Sequence, residues 1–379
     1  ATRASMSGAS QALGSKPDTA TSALLLPAGV FLLILTFLPF VYILPYYVNM
    51  ILQASTIVFI GAHLSIPGKQ YNQETGETED KPPLEQMSRK DVMKFPIYGS
   101  CVLFGLYCLF KFQKDLANML LGIYFTSLGV IALAGLISPM IAPIFGRVAF
   151  WNKTHEFEVP VVGPIAFNKI DLVCVLACSS VGYIYYTTHL WWCNNLFGVS
   201  FAIRGIEMLS LGSFLNGVIL LCGLFVYDVF WVFGTDVMVT VAKSFQAPIK
   251  LVFPRGWDEP KEKQFSMLGL GDIVIPGLFI ALMLRWDVVQ CAEKGEKLSE
   301  GKKIYFYAQM TGYVLGLVTT VVMMIQFKAA QPALLYLVPT ALLSALFTAA
   351  IRGQISQLIA YTEEEAEEVA GEEEDKKAK

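Results

Sequence analysis

Long apolar runs follow one another along this chain, with polar stretches confined mostly to short connections. A helix needs roughly 17–25 residues to cross a hydrocarbon core about 30 Å thick. Runs near that length fall at about 95–112, 116–137, 170–187, 194–212, 213–234, 266–284, 304–326 and 332–351. Ahead of them, residues 24–66 contain no Asp, Glu, Lys or Arg. Pro27, Pro39 and Pro45 interrupt that region, which reads as one long broken span or two. The pattern predicts an all-α polytopic membrane protein with nine or ten transmembrane helices, nine being preferred. Three connections are substantial: a polar segment at 67–94, a Pro-, Gly- and aromatic-containing segment at 138–169 that suits the interface, and 235–265. The last opens with TDVMVTVAKSF, which fits either a short strand or an interfacial helix. No internal repeat is evident.

Composition supports the membrane reading: of 379 residues, 55% are hydrophobic and 16% charged, with mean hydropathy +0.54. The net charge of −3 is small, but residues 363–375 form an acidic run that reads as a solvated tail, followed by Lys376, Lys377, Ala378 and Lys379. Those last four residues have the KKxx pattern of a cytosolic retrieval signal for the endoplasmic reticulum. The larger share of Lys and Arg falls on the side that takes 69–94, 147–169, 285–303 and 352 onward, so the positive-inside rule puts the C-terminus in the cytosol. The first 23 residues are small and polar, and the apolar run after them reads as a retained anchor. The seven cysteines follow no disulfide spacing and the three histidines are scattered, so neither a metal site nor a cofactor is expected. HExxH, GxSxG, P-loop and dinucleotide fingerprints are absent.

Two residues break the apolar pattern most sharply: Asp228 in LLCGLFVYDVFWVFG and Asp272 in FSMLGLGDIVIPGLFIALML. A carboxylate at bilayer depth costs roughly 2.5–3.5 kcal/mol on insertion scales. With helices over 213–234 and 266–284, each aspartate lies six residues from a span end, and the loop 235–265 puts both ends on one side. At a rise of ~1.5 Å per residue both then sit about 9 Å deep and could face one another. Such a pair shares a proton, so that one carboxylate can activate water while the other polarises a peptide carbonyl. By parity the last span opens on that side too, with Gln331, Pro332, Ala333 and Leu334 at its head. Gly269 and Gly271, flanking Leu270, would loosen the helix before Asp272 and admit a close backbone. Elsewhere, Arg204 and Glu207 are expected to pair on one helix face, and Trp191, Trp192, Asn194 and Asn195 to mark a span entrance at the interface.

Tyr227-Asp228, GLGD at 269–272 and PAL at 332–334 together resemble the three motifs of the intramembrane aspartyl proteases. DVFWVFGTDVMVTVAKSFQAPIKLVFP and FSMLGLGDIVIPGLFIAL are similar to the signal peptide peptidase family rather than to presenilin itself. The likeness runs from about Met87, through NNLFG at 194–198, to about residue 340. The resemblance implies a presenilin-like fold of nine spans, an exoplasmic N-terminus, a cytosolic C-terminus and residence in the endoplasmic reticulum. It implies catalysis by Asp228 and Asp272, with Tyr227, Gly269, Leu270, Gly271, Gln331, Pro332, Ala333 and Leu334 around the cleft. The expected organisation is a polar segment (1–23), N-terminal transmembrane helices (24–212), catalytic transmembrane helices (213–351) and an acidic cytosolic tail (352–379). Expected partners are transmembrane peptides, such as leftover signal peptides with a cytosolic N-terminus, and the lipid bilayer, not nucleic acid; a homo-oligomer is left open. Two other classes fit paired intramembrane acids: an ion-coupled transporter and a non-catalytic membrane-protein chaperone.

The orientation has a direct test. Asn152-Lys153-Thr154 is the one N-glycosylation sequon, and it lies in a connection assigned to the cytosol. The protein from microsomes should carry no glycan there; an endoglycosidase-sensitive mass shift abolished by Asn152→Gln would reverse the topology.

Overall fold

The computed structural model describes residues 19–41, 44–66, 69–71, 78–80, 84–145, 155–159, 163–167, 169–235, 237, 241, 245, 247–255, 265–293, 302–327 and 331–363. Ten long helices dominate it: α1 (Thr19–Phe37), α2 (Tyr46–Leu64), α3 (Arg89–Phe112), α4 (Lys114–Phe145), α5 (Lys169–Thr188), α6 (Trp191–Met208), α7 (Phe214–Phe233), α8 (Gly271–Glu293), α9 (Ile304–Phe327) and α10 (Leu334–Arg352). A short α11 (Ile355–Ala360) follows. The region 24–66 is thus two helices, parted by a 3-10 turn at Leu38–Phe40 and by Pro45, which precedes α2 and has no N–H to donate. Among the described residues seven helices are long and apolar enough to cross a membrane: α2, α3, α4, α5, α7, α9 and α10. The expected count of nine is not reached on those criteria, which α6 and α8 do not meet.

Four two-stranded sheets join the helices. The strands are β1 (Lys69–Tyr71), β2 (Thr78–Asp80), β3 (Glu85–Gln86), β4 (His155–Val159), β5 (Gly163–Phe167), β6 (Leu209–Ser210), β7 (Lys250–Pro254) and β8 (Phe265–Gly269). β1 pairs with β2 and β4 with β5, giving the connections 67–94 and 138–169 local hairpins. β3 pairs in parallel with β6, which ends the expected 194–212 helix at Met208; Gly212 then turns the chain at φ 69°. The KKAK pattern, the acidic run beyond Glu363 and the sequon at 152 lie outside the described residues, and 235–249 is described only in part.

α8 is the central helix. Every residue from Pro276 to Cys291 is buried, and α2, α6, α7, α9 and α10 surround it. Helices in lipid gain little from burying apolar surface against each other, so close approach depends on small residues. Ile206 of α6 wedges between Gly61 of α2 and Gly277 of α8, where an added Cβ would come within 2.8 and 2.5 Å of it. By contrast α3 turns Met93, Ile97, Val102 and Phe104 outward, a face suited to acyl chains. Ser88 starts α3 by accepting from the Asp91 N–H at 3.3 Å, Ser213 starts α7 by accepting from the Asn216 N–H at 3.2 Å, and Gly353 at φ 64° ends α10.

The expectation of a helix over 266–284 is corrected at both ends. Residues 265–269 are a strand, and α8 runs on through Arg285 and Asp287 to Glu293. The extension survives because its charges are buried with partners. Arg285 Nε donates to Glu363 Oε1 at 2.5 Å, while its Nη1 donates to Ser65 Oγ at 2.8 Å and its Nη2 to Ser210 Oγ at 3.3 Å. Ser210 also donates to Glu363. Asp287 accepts from the N–H groups of Tyr305 and Phe306 at 3.3 and 2.8 Å, capping α9 from outside. Removing one member of a buried ion pair leaves an uncompensated charge, at a cost of about 3–5 kcal/mol. Arg285→Met should therefore lower the thermal midpoint in detergent clearly, and Arg285→Met/Glu363→Met should recover most of the loss.

Candidate active site

The aspartates lie where regular helix gives way to other backbone. Asp228 is five residues short of the end of α7 and buried, 4% exposed. Asp272 is in the first turn of α8, reached through a strand rather than from six residues inside a helix. The depth match expected from two helical stretches therefore rests on the hairpin. α7 packs against α8, the helix that begins just before Asp272.

Each aspartate also takes part in mending a gap in the backbone. α10 has no side-chain cap of its own at Ala333, and the Leu334 N–H, one of its orphan donors, points at Asp228 Oδ2 at 3.1 Å. On α8 the gap arises from Pro276, which lacks the N–H that would bond the Asp272 carbonyl four residues back. Tyr313 of α9, 1% exposed, fills it by donating its hydroxyl to the Asp272 carbonyl at 3.3 Å. Neither contact follows from hydropathy, and Tyr313 escaped the sequence reading altogether; the proline four residues after Asp272 was the signal available.

The other expected site residues divide. Pro332, Ala333 and Leu334 are buried beside Asp228, while the Gln331 side chain accepts from the Tyr336 hydroxyl at 3.3 Å. A Cβ at Gly269 would sit 3.3 Å from Asp272 Oδ2, so any larger residue crowds the carboxylate; Gly271 has open space instead. The Leu270 carbonyl caps α8, accepting from the N–H groups of Ile273 and Val274 at 3.1 and 2.8 Å. Tyr227 turns toward α3, its ring 3.5 Å from a Cβ built at Gly99. Arg204 and Glu207 pair at 2.7 Å as expected, and Arg204 also donates to the Gly135 carbonyl.

Before Asp272 the chain folds back on itself: β7 and β8 pair antiparallel with Lys250 opposite Gly269, Val252 opposite Met267 and Pro254 opposite Phe265. Burial lowers the Lys250 pKa below the usual lysine range. The hairpin lies along α6, and Asn194 and Asn195, at the head of that helix, have a contact that the sequence reading did not expect. They are buried at 6% and 0% exposure and bond β7. Among the described residues no cluster of His, Cys, Asp and Glu suits a metal ion.

The Pro276–Tyr313 relation can be tested through stability alone. A buried acceptor left unpaired costs about 1–3 kcal/mol. Tyr313→Phe should lower the thermal midpoint in detergent. In a Pro276→Ala background, which restores the helical donor, the same change should have little effect, because the two act on one carbonyl. Equal losses in both backgrounds would refute the account.

Residues 79–365 match the family described as signal peptide peptidase. The chain is 41% identical over 341 residues to the signal peptide peptidase of Mus musculus, spanning 87% of this chain and 86% of that protein. It is 41% identical over 328 residues to the Homo sapiens signal peptide peptidase, across 84% and 83% of the two chains. Intramembrane protease 2 of Caenorhabditis elegans is 48% identical over 207 residues, 52% of this chain and 44% of that one. These matches favour proteolysis over ion-coupled transport or chaperoning. A helical bundle with one aspartate inside α7 and another at the head of α8, which packs against it, is what such a likeness leads one to find, and this chain belongs to the signal peptide peptidase family, a multi-pass intramembrane protease acting on transmembrane segments.

Proposed function

We propose that the chain is an aspartyl endopeptidase in which Asp228 and Asp272 hydrolyse peptide bonds within the bilayer. The observation that carries this reading is the placement of two aspartates on helices that pack together, one within α7 and one at the head of α8. Two carboxylates brought together in a low-dielectric site do not both ionise, so such a pair holds one proton between them. The ionised carboxylate takes a proton from water as the oxygen adds to the scissile carbonyl carbon. The protonated one donates to the carbonyl oxygen. Collapse of the tetrahedral diol breaks the C–N bond, with a proton passing to the leaving nitrogen.

A helical substrate hides its peptide bonds, and in lipid they cannot be exposed without new hydrogen-bond partners. β8 offers such partners one residue before the GD of α8, because it pairs with β7 on one side only among the described residues. A substrate segment unwound into a strand can add to that edge and lie across Asp272. This assigns the pairing role to the strand ahead of Asp272 rather than to the PAL segment, which the Asp228–Leu334 bond supports as a brace for the first carboxylate.

The names of the mammalian relatives support leftover signal peptides as the substrate class, with residues 213–351 as the catalytic part. The lysine pattern at 376–379 supports residence in the endoplasmic reticulum with the acidic tail, 352–379, in the cytosol. In detergent or bicelles, Asp228→Asn and Asp272→Asn should each abolish cleavage of a labelled transmembrane peptide. The double variant should be no worse than either single, since the two act as a unit. Activity should follow a bell-shaped pH profile. Substantial cleavage by either single variant would refute the dyad.

A further inference from the structure

The β7–β8 hairpin has two edges, and they are treated differently. The Leu270 N–H donates to the Ile249 carbonyl at 3.0 Å, and the same register pairs Leu251 with Leu268 and Phe253 with Ser266. In an antiparallel ladder, residues that bond across alternate with residues whose peptide groups turn outward. Lys250 and Val252 therefore turn theirs outward from β7, and Met267 and Gly269 turn theirs outward from β8.

On β7 the outward groups are taken. The Asn195 carboxamide copies a neighbouring strand: its Nδ2 donates to the Val252 carbonyl at 2.8 Å, and its Oδ1 accepts from the Val252 N–H at 2.8 Å. Asn194 Nδ2 donates to the Lys250 carbonyl at 2.7 Å, and its own Oδ1 accepts from the Tyr185 hydroxyl at 3.4 Å. The approach depends on Gly198, on the same face of α6, where a Cβ would come within 2.8 Å of Leu251 Cδ2. On β8, by contrast, Met267 is 51% exposed, and nothing among the described residues pairs with the outward groups of Met267 and Gly269.

We propose that Asn194 and Asn195 are positioning residues for peptide hydrolysis: they close the outer edge of β7 and fix the hairpin, so that a substrate strand joins only at β8, in one register relative to Asp272. The proposal rests on the strand-addition reading above. A strand edge accepts partners promiscuously unless it is blocked, and a slip of one residue turns every side chain to the other face. Helix α6 supplies both the block and the register through two side chains of fixed length.

The test uses the full-length protein in bicelles, a transmembrane peptide of defined sequence, mass spectrometry of the products, and a labelled hydroxyl-containing transition-state analogue. Asn195→Leu keeps the volume and removes both bonds to Val252. It should lower kcat at least tenfold with KM within about threefold, and spread the cleavage over neighbouring peptide bonds, while analogue binding stays within about threefold. Should Asn195→Leu fail to fold, Asn194→Leu carries the same test, with a smaller spread. Wild-type kcat at one unchanged bond would overturn the proposal. So would a loss of cleavage matched by loss of analogue binding with no change of cleavage site, the mark of a merely structural role. Met267→Pro separates the layers, because it deletes an outward N–H without touching the β7 ladder. It should stop cleavage; normal cleavage by Met267→Pro alongside an inactive Asp228→Asn would overturn strand addition at β8 and leave the aspartate reading standing.

Discussion

A peptide group in lipid has no water to turn to, so each N–H or C=O released from a helix must find a partner within the protein. That requirement organises the interior of this chain. Pro276 strands the Asp272 carbonyl, and Tyr313 takes it. The head of α10 leaves the Leu334 N–H without a capping side chain, and Asp228 takes it. The head of α9 is met by Asp287, and the outer edge of β7 by Asn194 and Asn195. Irregular backbone accumulates around the two aspartates because these side chains, all from neighbouring helices, make it tolerable. The outer edge of β8, next to Asp272, has no strand partner among the described residues.

Asp287 sharpens the argument about Asp228. Both are buried carboxylates that cap a helix from outside, so capping alone does not mark a reactive group. The difference lies in the company each keeps. Asp287 accepts two backbone N–H groups and lies just past Trp286 on α8 from the buried Arg285–Glu363 ion pair. Asp228 accepts one N–H and sits on α7, which packs against the helix that carries Asp272. A structural cap gains nothing from a like charge beside it, whereas a proton-sharing pair requires one.

The aspartates were legible in the sequence because a lone acid in an apolar run has few structural uses in lipid. The spans were legible for the same reason: α7, predicted at 213–234, is Phe214–Phe233. The hairpin was not. Phe265–Gly269 continues the apolar run of α8, and hydropathy cannot tell a short buried strand from a helical turn. Its partner β7 lies across a connection whose pairing is settled by Asn194 and Asn195, about 57 residues away in sequence. The charges at 285 and 287 misled in the opposite sense. They read as the end of a span, yet α8 continues through them because Glu363, Ser65, Ser210 and the head of α9 supply partners from distant parts of the chain.

The central claim is that the carboxylates of Asp228 and Asp272 face a peptide backbone held along β8. The most direct measurement is a high-resolution structure of the full chain in lipid nanodiscs with a transmembrane peptide whose scissile bond is replaced by a hydroxyl-bearing isostere. The account predicts the hydroxyl between the two carboxylates, within hydrogen-bond reach of both, and the peptide flanking it extended, with its backbone bonded to Met267 and Gly269. A peptide bound as an intact helix, or paired elsewhere with its hydroxyl away from the aspartates, would contradict it.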